Sequence, residues 1–550
     1  MKLTMNREPL PHISSIRELL HYALSRGADF LAFRYKDAAM PGGIRDVTIG
    51  EFCAQVEALG ARLCELGLSR VHIACVGENS YPWLVTYLTV MQGGNVFVPL
   101  DKELPADDLL YLIREGDCEV VFCDAAHEAI LTAHREEIPK VRYLVSFARE
   151  AHEGDLLSFT ALCREGEALD KQEYDATSTP EGELKYLVYT SGTTGVAKGV
   201  MLTEHNVVSV INYGMQISRM TDVCLSVLPY HHTYGAVCDV LPAIFGGTTL
   251  CINDSLRHVQ ENMKLFRPSC ILLVPAFAEH FYKAIQNALR RRHKEKTFAR
   301  AQKLSRFLRC FGIDVRRRLF SDLLAEFGGR LEKIVCGGAP IRPEIGAFFG
   351  DIGISMTGGY GITECSPLVS FNDDRDNNYA SAGHRLGCIS WRISEPDEDG
   401  VGEIVVRGDV VMKGYYKRPD LTAEVLRDGW FYTGDYGYIN EKDEIVITGR
   451  KKNIIVLNNG KNVYPEDIER FLVSLPGVSE VVVSGVRNEY GQDVALTATV
   501  YSEEEGHTAE EFLAAFRKAT AHLPAYKQIS TVTLRSEPFP KTTTNKIKRT

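Results

Sequence analysis

The stretch Tyr189-Thr190-Ser191-Gly192-Thr193-Thr194-Gly195-Val196-Ala197-Lys198-Gly199 is dense in glycine and small hydroxyl side chains and carries one lysine. Glycines let a backbone turn tightly with its N–H groups pointing inward, and Thr and Ser add hydroxyl donors. With the charge of Lys198, this composition suits a polyphosphate. It is not a Walker A loop, because Gly199 rather than Ser or Thr follows Lys198. Further on, Tyr230-His231-His232-Thr233-Tyr234 sets two histidines beside two tyrosines. Such a segment serves as a pocket wall or as a packed loop, and the ligand spacing of a metal site is missing there. Gly337-Gly338-Ala339-Pro340 and Gly358-Gly359-Tyr360-Gly361-Ile362-Thr363-Glu364 are glycine-rich. Without Cβ atoms they leave room for a flat ring to approach the backbone, and Tyr360 adds an aromatic face. Asp435, after Thr433-Gly434, offers one carboxylate to two vicinal hydroxyls, as in a ribose. Lys546 is a point charge on a long stem in a basic tail. By composition such a tail frays, with little to hold it.

The elements that position these residues show in the apolar pattern. Leu187-Val188-Tyr189 and Val200-Met201-Leu202 read as strands flanking the glycine-rich loop, and Thr203 caps a following helix. Before the loop, strands at 30–35, 71–76, 95–100, 119–123 and 141–145 alternate with helices near 15–20, 49–67, 81–92 and 109–115. The near-continuous apolar strands imply a mostly parallel sheet with helices on both faces. Residues 150–182 are polar and weakly periodic, which predicts surface segments. After the loop, strands are expected at 224–228, 269–275 and 334–336, and short alternating strands over 402–439. A glycine and a charge cluster at 449–452 separate this region from a small α/β pattern, with helices near 465–475 and 509–522.

Composition narrows the function classes. With 62 basic and 72 acidic residues the net charge is −10, which argues against a general nucleic-acid binder. The 14 cysteines form no paired CxxC motifs and read as reduced thiols of a cytoplasmic protein. Neither a signal peptide nor a membrane span is expected. One region departs from the acidic balance: residues 290–318 hold twelve Lys and Arg against Glu295 and Asp314. Phe298, Ala301, Leu304, Leu308 and Phe311 recur there at helical spacing. This is either a solvated helical hairpin or a peripheral contact with anionic lipid at the inner face of the cell membrane.

In this order, the motifs resemble those of the adenylate-forming (AMP-binding) enzyme superfamily. The wording of the basic insertion and of residues 456–465 is closest to bacterial long-chain fatty acyl-CoA synthetases. The resemblance spans about residues 15–549. It implies an α/β fold: a large N-terminal domain (1–449) with a short β-rich subdomain, a hinge (450–453), and a small mobile α+β C-terminal domain (454–550). It implies ATP, Mg²⁺ and coenzyme A as small-molecule partners of a long-chain fatty acid. The alternative substrates are a medium-chain or aryl acid, or a carrier-protein thiol as acceptor. By the same resemblance, residues Thr190, Ser191, Gly192, Thr193, Thr194, Gly195 and Lys198 embrace the phosphates. The adenine pocket is Gly337, Gly338, Ala339, Pro340, Gly359, Tyr360 and Gly361, with Tyr360 stacking on the base. Thr363 lies by the phosphates, Glu364 helps hold Mg²⁺, and Asp435 and Arg450 contact the ribose. Tyr230, His231 and Tyr234 fall near the acyl substrate, and His232 near its reacting carboxylate. Lys452 is the pivot and Lys546 the catalytic lysine. Two departures stand out: Asn453 replaces a commoner acidic residue, and Asn545 replaces the glycine before the lysine.

Overall fold

A computed structural model describes residues 9–190, 197–374, 376–458, 461–489, 491–504, 506–541 and 547–549. The chain forms two compact units, residues 1–390 with 407–429, and residues 391–406 with 430–550.

Among the described residues, the first unit holds two large sheets. In the nine-stranded sheet, Ser355–Tyr360, Lys333–Cys336, Cys270–Leu273, Val223–Ser226, Thr249–Ile252 and Leu31–Lys36 run parallel in that spatial order. Its edges are antiparallel, with Ile44–Thr48 on one side and Ser370–Phe371 then His384–Arg385 on the other. In the eight-stranded sheet, Tyr186–Thr190, Val96–Leu100, His72–Val76, Cys118–Cys123, Tyr143–Ser146 and Leu156–Ser158 are parallel. Strands Val96–Leu100 and Cys118–Cys123 are buried along almost their whole length, as continuous apolar runs in a two-faced sheet must be. The helices begin where the sequence supplies caps. Thr48 and Glu51 form a capping box for Ile49–Glu65, and Thr203 and Asn206 form one for Glu204–Ile217.

Two expectations change. Residues 150–182 are not merely surface segments: they contain the strand Leu156–Ser158 and the helices Phe159–Glu167 and Gln172–Ala176. Tyr174 is buried because Gly60 leaves space for its ring, and Gly166 lets its helix meet the backbone of Ala58. In Phe159–Glu167 the buried Phe159, Leu162, Cys163 and Gly166 recur at i, i+3, i+4 and i+7, a short apolar face set in polar sequence. The basic stretch forms the end of Pro275–Arg291, then Glu295–Cys310 and Arg316–Leu319, and its apolar residues do not share one face. Phe298 and Ala301 pack on the core, with the Phe298 ring 5.7 Å from that of Phe348. Leu304, Phe307, Phe311 and Ile313 are exposed. At about 100° per residue, position 304 lies roughly 120° from 298, so the spacing alone overstated the stripe.

In the second unit, Trp430–Ile439 and Ile445–Arg450 pair antiparallel. Its later part is a three-stranded sheet in which Asp493–Tyr501 lies between antiparallel Glu480–Arg487 and parallel Ile529–Arg535. Helices Pro465–Leu472 and Ala509–Ala519 bury Ile468, Leu472, Phe512 and Phe516 in the same core as strand residues Val481, Val483 and Leu496. Among the described residues no helix is long and apolar enough to cross a membrane, and none of the 14 cysteines forms a disulfide.

One buried cation secures the entry to the glycine-rich loop. Lys185, at the head of strand Tyr186–Thr190, donates to the carbonyls of Gly93 and Asn95 and to Thr179 Oγ1. Burial pushes its ammonium down to about 7. An unfolded lysine titrates near ~10.4, so between about 7 and 10 the unfolded chain binds more protons and folding stability rises with pH. Measured by Tm, the parent protein should gain on Lys185→Met between pH 7 and 9, and parallel Tm curves would contradict this.

Candidate active site

The glycine-rich loop joins two antiparallel strands whose last paired residues are Thr190 and Lys198. Thr190 Oγ1 lies 3.5 Å from the Lys198 carbonyl. Ser191, Gly192, Thr193, Thr194 and Gly195 lie outside the described residues. Strand Gly414–Tyr415 adds to the far edge of Lys198–Leu202 and brings a tyrosine whose role the sequence did not announce. The Lys198 ammonium lies 5.2 Å from the centre of the Tyr415 ring, and the Tyr415 hydroxyl donates to Glu364 Oε1 at 2.9 Å. Main-chain pairing reinforces the junction, since Met412 N donates to the Glu364 carbonyl at 2.9 Å. Thr190, Lys198, Glu364 and Tyr415 are thereby gathered at one place. Glu364 sits in the short turn Thr363–Cys365, just past the carboxyl end of Ser355–Tyr360.

The glycines at the strand ends allow close approach within the chain. A Cβ at Gly337 would lie 2.9 Å from the Tyr234 ring, at Gly359 2.6 Å from Phe371, and at Gly361 1.6 Å from the Pro367 carbonyl oxygen. The space at these three positions is thus taken by the chain itself. Gly338 differs: its φ of +85° needs glycine, nothing presses on it, and Gly338, Ala339 and Pro340 are exposed. Tyr360 is largely buried at the end of its strand.

His231 and His232 follow the strand Val223–Ser226, with ring centres 4.4 Å apart. His231 Nε2 lies 3.4 Å from Asp101 Oδ1. Burial, with His232 and Lys102 nearby, holds the His231 imidazole well below its usual range, so the contact joins a neutral ring to a carboxylate. Tyr230 is fully buried against Trp83, their ring centres 5.4 Å apart, and its backbone N–H donates to Asn79. Tyr234 faces an apolar cavity of about 560 Å³, counting its open mouth. Val210, Gly214 and Met215 of helix Glu204–Ile217 line it, with Leu272 and Val335 from the sheet. Of the three expected acyl-pocket residues, Tyr234 lines this cavity, while Tyr230 and His231 are not among its lining residues.

In the second unit, Asp435 and Arg450 are cross-strand partners, and Arg450 Nε lies 2.8 Å from Asp435 Oδ1. Lys451 pairs with buried Glu403 at 2.7 Å. Burial, then Arg450 and Arg549, hold the Lys452 ammonium below its usual range. Asn453 donates to Glu466 at the start of Pro465–Leu472, so an amide makes a contact here that an acidic side chain would oppose.

Lys546 and Asn545 lie outside the described residues, but both flanks are anchored, against the expectation of a frayed tail. Lys541 Nζ lies 2.6 Å from Glu480 Oε1, and Lys541 and Ile547 form a β-bridge. The Arg549 guanidinium pairs with Glu469 and donates to the Val483 carbonyl. Burial lifts the Glu469 carboxyl to about 7, with Arg549 opposing the rise. The sequence hid this because Glu469 lies 80 residues from Arg549.

Residues 22–416 match the family of AMP-binding enzymes, and residues 452–550 match the AMP-binding enzyme C-terminal domain. The chain belongs to the AMP-binding enzyme family. It is an adenylate-forming ligase. A long-chain-fatty-acid–CoA ligase of Mycobacterium tuberculosis is 28% identical, over 80% of this chain and 75% of that protein. Long-chain-fatty-acid–CoA ligase 6 of Mus musculus is 28% identical, over 79% of this chain and 67% of that protein. Among solved structures, the anthranilate CoA ligase AuaEII with anthranoyl-AMP superposes with a TM-score of 0.77 at 18% identity, covering 98% of this chain and 96% of that one. A Mycobacterium tuberculosis fatty acyl CoA synthetase gives 0.64 at 21% identity, covering 97% and 96%. At these identities the superpositions speak for the fold, the α/β architecture of adenylate-forming enzymes with a smaller C-terminal domain.

Proposed function

We propose that this ligase joins a long-chain fatty acid to coenzyme A through an acyl-AMP intermediate, releasing pyrophosphate and then AMP. The apolar cavity facing Tyr234 carries this reading, because it offers a methylene chain a dry wall on both the helix and the sheet side. In the first step the carboxylate attacks the α-phosphate of ATP. Negative charge then builds on phosphate oxygens, and the loop 190–198 with Lys198 and Lys546 supplies the opposing charge and donors. His232 stands by the carboxylate, Tyr360 by the adenine, and Asp435 and Arg450 by the ribose. Glu364 suits Mg²⁺, which takes hard oxygen ligands and usually binds through one or two carboxylates plus substrate phosphates. That ion would neutralise phosphate charge. In the second step the thiol of coenzyme A attacks the acyl carbonyl carbon and AMP leaves. Residues 450–453, with Lys452 as pivot, turn the small domain (454–550) away from the large one (1–449) between the steps, which gives one carbonyl carbon two sets of neighbours.

Activity with saturated acids should rise from C2 to C12, because each buried methylene contributes roughly 0.8 kcal/mol. Acyl-CoA formation measured across these acids and benzoate checks it, and a maximum at acetate or at the aromatic acid would overturn it.

Lys546→Ala should slow pyrophosphate release at least about 100-fold, or ~2.7 kcal/mol. Arg549→Ala, which unpins the flank, should slow it by about tenfold, or ~1.4 kcal/mol. Both variants, given purified acyl-AMP and coenzyme A, should make acyl-CoA at near the parent rate. Normal pyrophosphate release in Lys546→Ala would place Lys546 outside the first step, and equal loss of both half-reactions in folded protein would end its restriction to that step.

We also propose that the exposed cluster Leu304, Phe307, Phe311 and Ile313 rests on anionic lipid. Phe307 is 61% and Phe311 68% exposed, and Arg300, Lys303 and Arg309 surround them in sequence. Basic residues near such a surface contribute about 1 kcal/mol each. Sedimentation with phosphatidylserine liposomes should fall severalfold in Phe307→Ala/Phe311→Ala and on neutralising Arg290, Arg291 and Arg292. Equal sedimentation of the parent with neutral and anionic liposomes would exclude the contact.

A further inference from the structure

At the end of the apolar cavity sits a polar cluster that adenylate chemistry does not use. Lys333 and Ser218 both line the cavity. The Lys333 ammonium lies 2.6 and 2.8 Å from the two oxygens of Asp374, donates to the Arg219 carbonyl at 2.9 Å, and donates to Ser218 Oγ. Ser218 Oγ in turn donates to Asp374 at 3.1 Å. The side chains of Lys333 and Asp374 are 2% and 5% exposed. An ammonium has three protons, and Asp374, Ser218 and Arg219 take them all. The Lys333 ammonium therefore has no proton to spare for a carboxylate or hydroxyl at the far end of a substrate, and Arg219, which also lines the cavity, donates through Nε to the Met215 carbonyl at 3.3 Å.

The position of the cluster along the cavity follows from element geometry. Lys333, Val335 and Gly337 alternate onto one side of the strand that continues past Cys336, and the Tyr234 ring lies over Gly337. Four strand residues at about 3.3 Å each put Lys333 roughly 13 Å below that ring. On the opposite wall, Val210 to Ser218 spans eight helical positions, or about 12 Å at 1.5 Å per residue. The hydrogen bond between Ser218 and Lys333 joins the two walls at the same end. An extended alkyl chain built of ~1.5 Å bonds advances about 1.25 Å per carbon, so this length holds roughly ten carbons.

We propose that the Lys333–Asp374–Ser218 cluster is the floor of the acyl cavity and limits the substrate to saturated acids of about twelve carbons. This rests on the fatty-acid reading of the same cavity and narrows it from long chains in general to those near C12, with the carboxyl carbon and its neighbour at the level of the Tyr234 ring. A longer chain would have to press its methyl end into a buried ion pair or part it. Leaving either charge buried without its partner is strongly unfavourable.

The test is the chain-length profile of the full-length protein, from C8 to C18, read as kcat/KM for acyl-CoA formation. The parent should peak near C12 and fall at least tenfold by C18. Gly214→Val puts a side chain into the cavity one helical turn, about 5.4 Å, above Ser218; only Leu368 stands within 4 Å of the new Cβ. It should move the peak to about C8. Lys333→Ala/Asp374→Ala removes both charges together and should move the peak to C16 or beyond, provided its melting transition shows that it folds. If it does not fold, the parent profile and Gly214→Val decide. Undiminished parent activity to C18, an unmoved peak in Gly214→Val, or an unmoved peak in the folded double variant overturns the floor. Inactivity of the parent on every alkyl acid, with activity on an aromatic one, overturns the underlying fatty-acid reading instead.

Discussion

The backbone ladder that joins Tyr186–Thr190, Lys198–Leu202 and Gly414–Tyr415 fixes most of the first unit's chemistry. Its hydrogen bonds hold the two ends of the glycine-rich loop in register, so Thr190 faces Lys198 whatever the loop does between them. The same ladder seats Tyr415 between a cation and a carboxylate. The Tyr415 hydroxyl donates to Glu364, while its ring meets the Lys198 ammonium through the negative face of the π-system. One side chain thus spaces two opposite charges that would otherwise pair with each other and be lost to a ligand.

A parallel sheet imposes the second constraint. Its loops emerge at the carboxyl ends of the strands, so Tyr230 to Tyr234, Gly337 to Pro340 and Gly358 to Glu364 collect on one edge of the nine-stranded sheet. The body of the same sheet must be apolar because helices cover it, and a cavity opened between sheet and helix inherits that lining. The Tyr234 ring lies over Gly337, where the polar edge meets the apolar interior, and its hydroxyl lies 3.4 Å from the carbonyl oxygens of Leu273 and Val335. The buried Lys333–Asp374 pair marks the other end of that interior.

The second unit solves a different problem. Its last residues carry little apolar surface and could not hold a conformation by burial. Ionic and main-chain contacts hold them instead: Lys541 on Glu480, and Arg549 on Glu469 and the Val483 carbonyl. Because Glu469 is buried, its carboxyl binds a proton more readily than an exposed one, and the contact with Arg549 favours the ionised form.

The sequence by itself determined the chemistry and the layering. The motifs at 189–199, 337–340, 358–364 and 435 pointed to the family, because glycines and polar groups in a fixed order are seldom met by composition alone. The strands read correctly because a strand buried on both faces leaves an unbroken apolar run. The helices of residues 150–182 were missed because they are short and set in polar sequence, Phe159–Glu167 with nine residues and Gln172–Ala176 with five. The basic stretch was read as one stripe because spacing does not say which neighbours a helix has; Phe298 met Phe348, and Leu304 met solvent. Only the tertiary structure decided that Tyr415 stands between Lys198 and Glu364, that Gly337 makes room for Tyr234, and that Ser218, Lys333 and Asp374 meet at the end of a cavity. Each of these pairs residues from distant strands and helices. Their proximity is set by the order and register of the sheets, which a one-dimensional pattern of residue types does not encode.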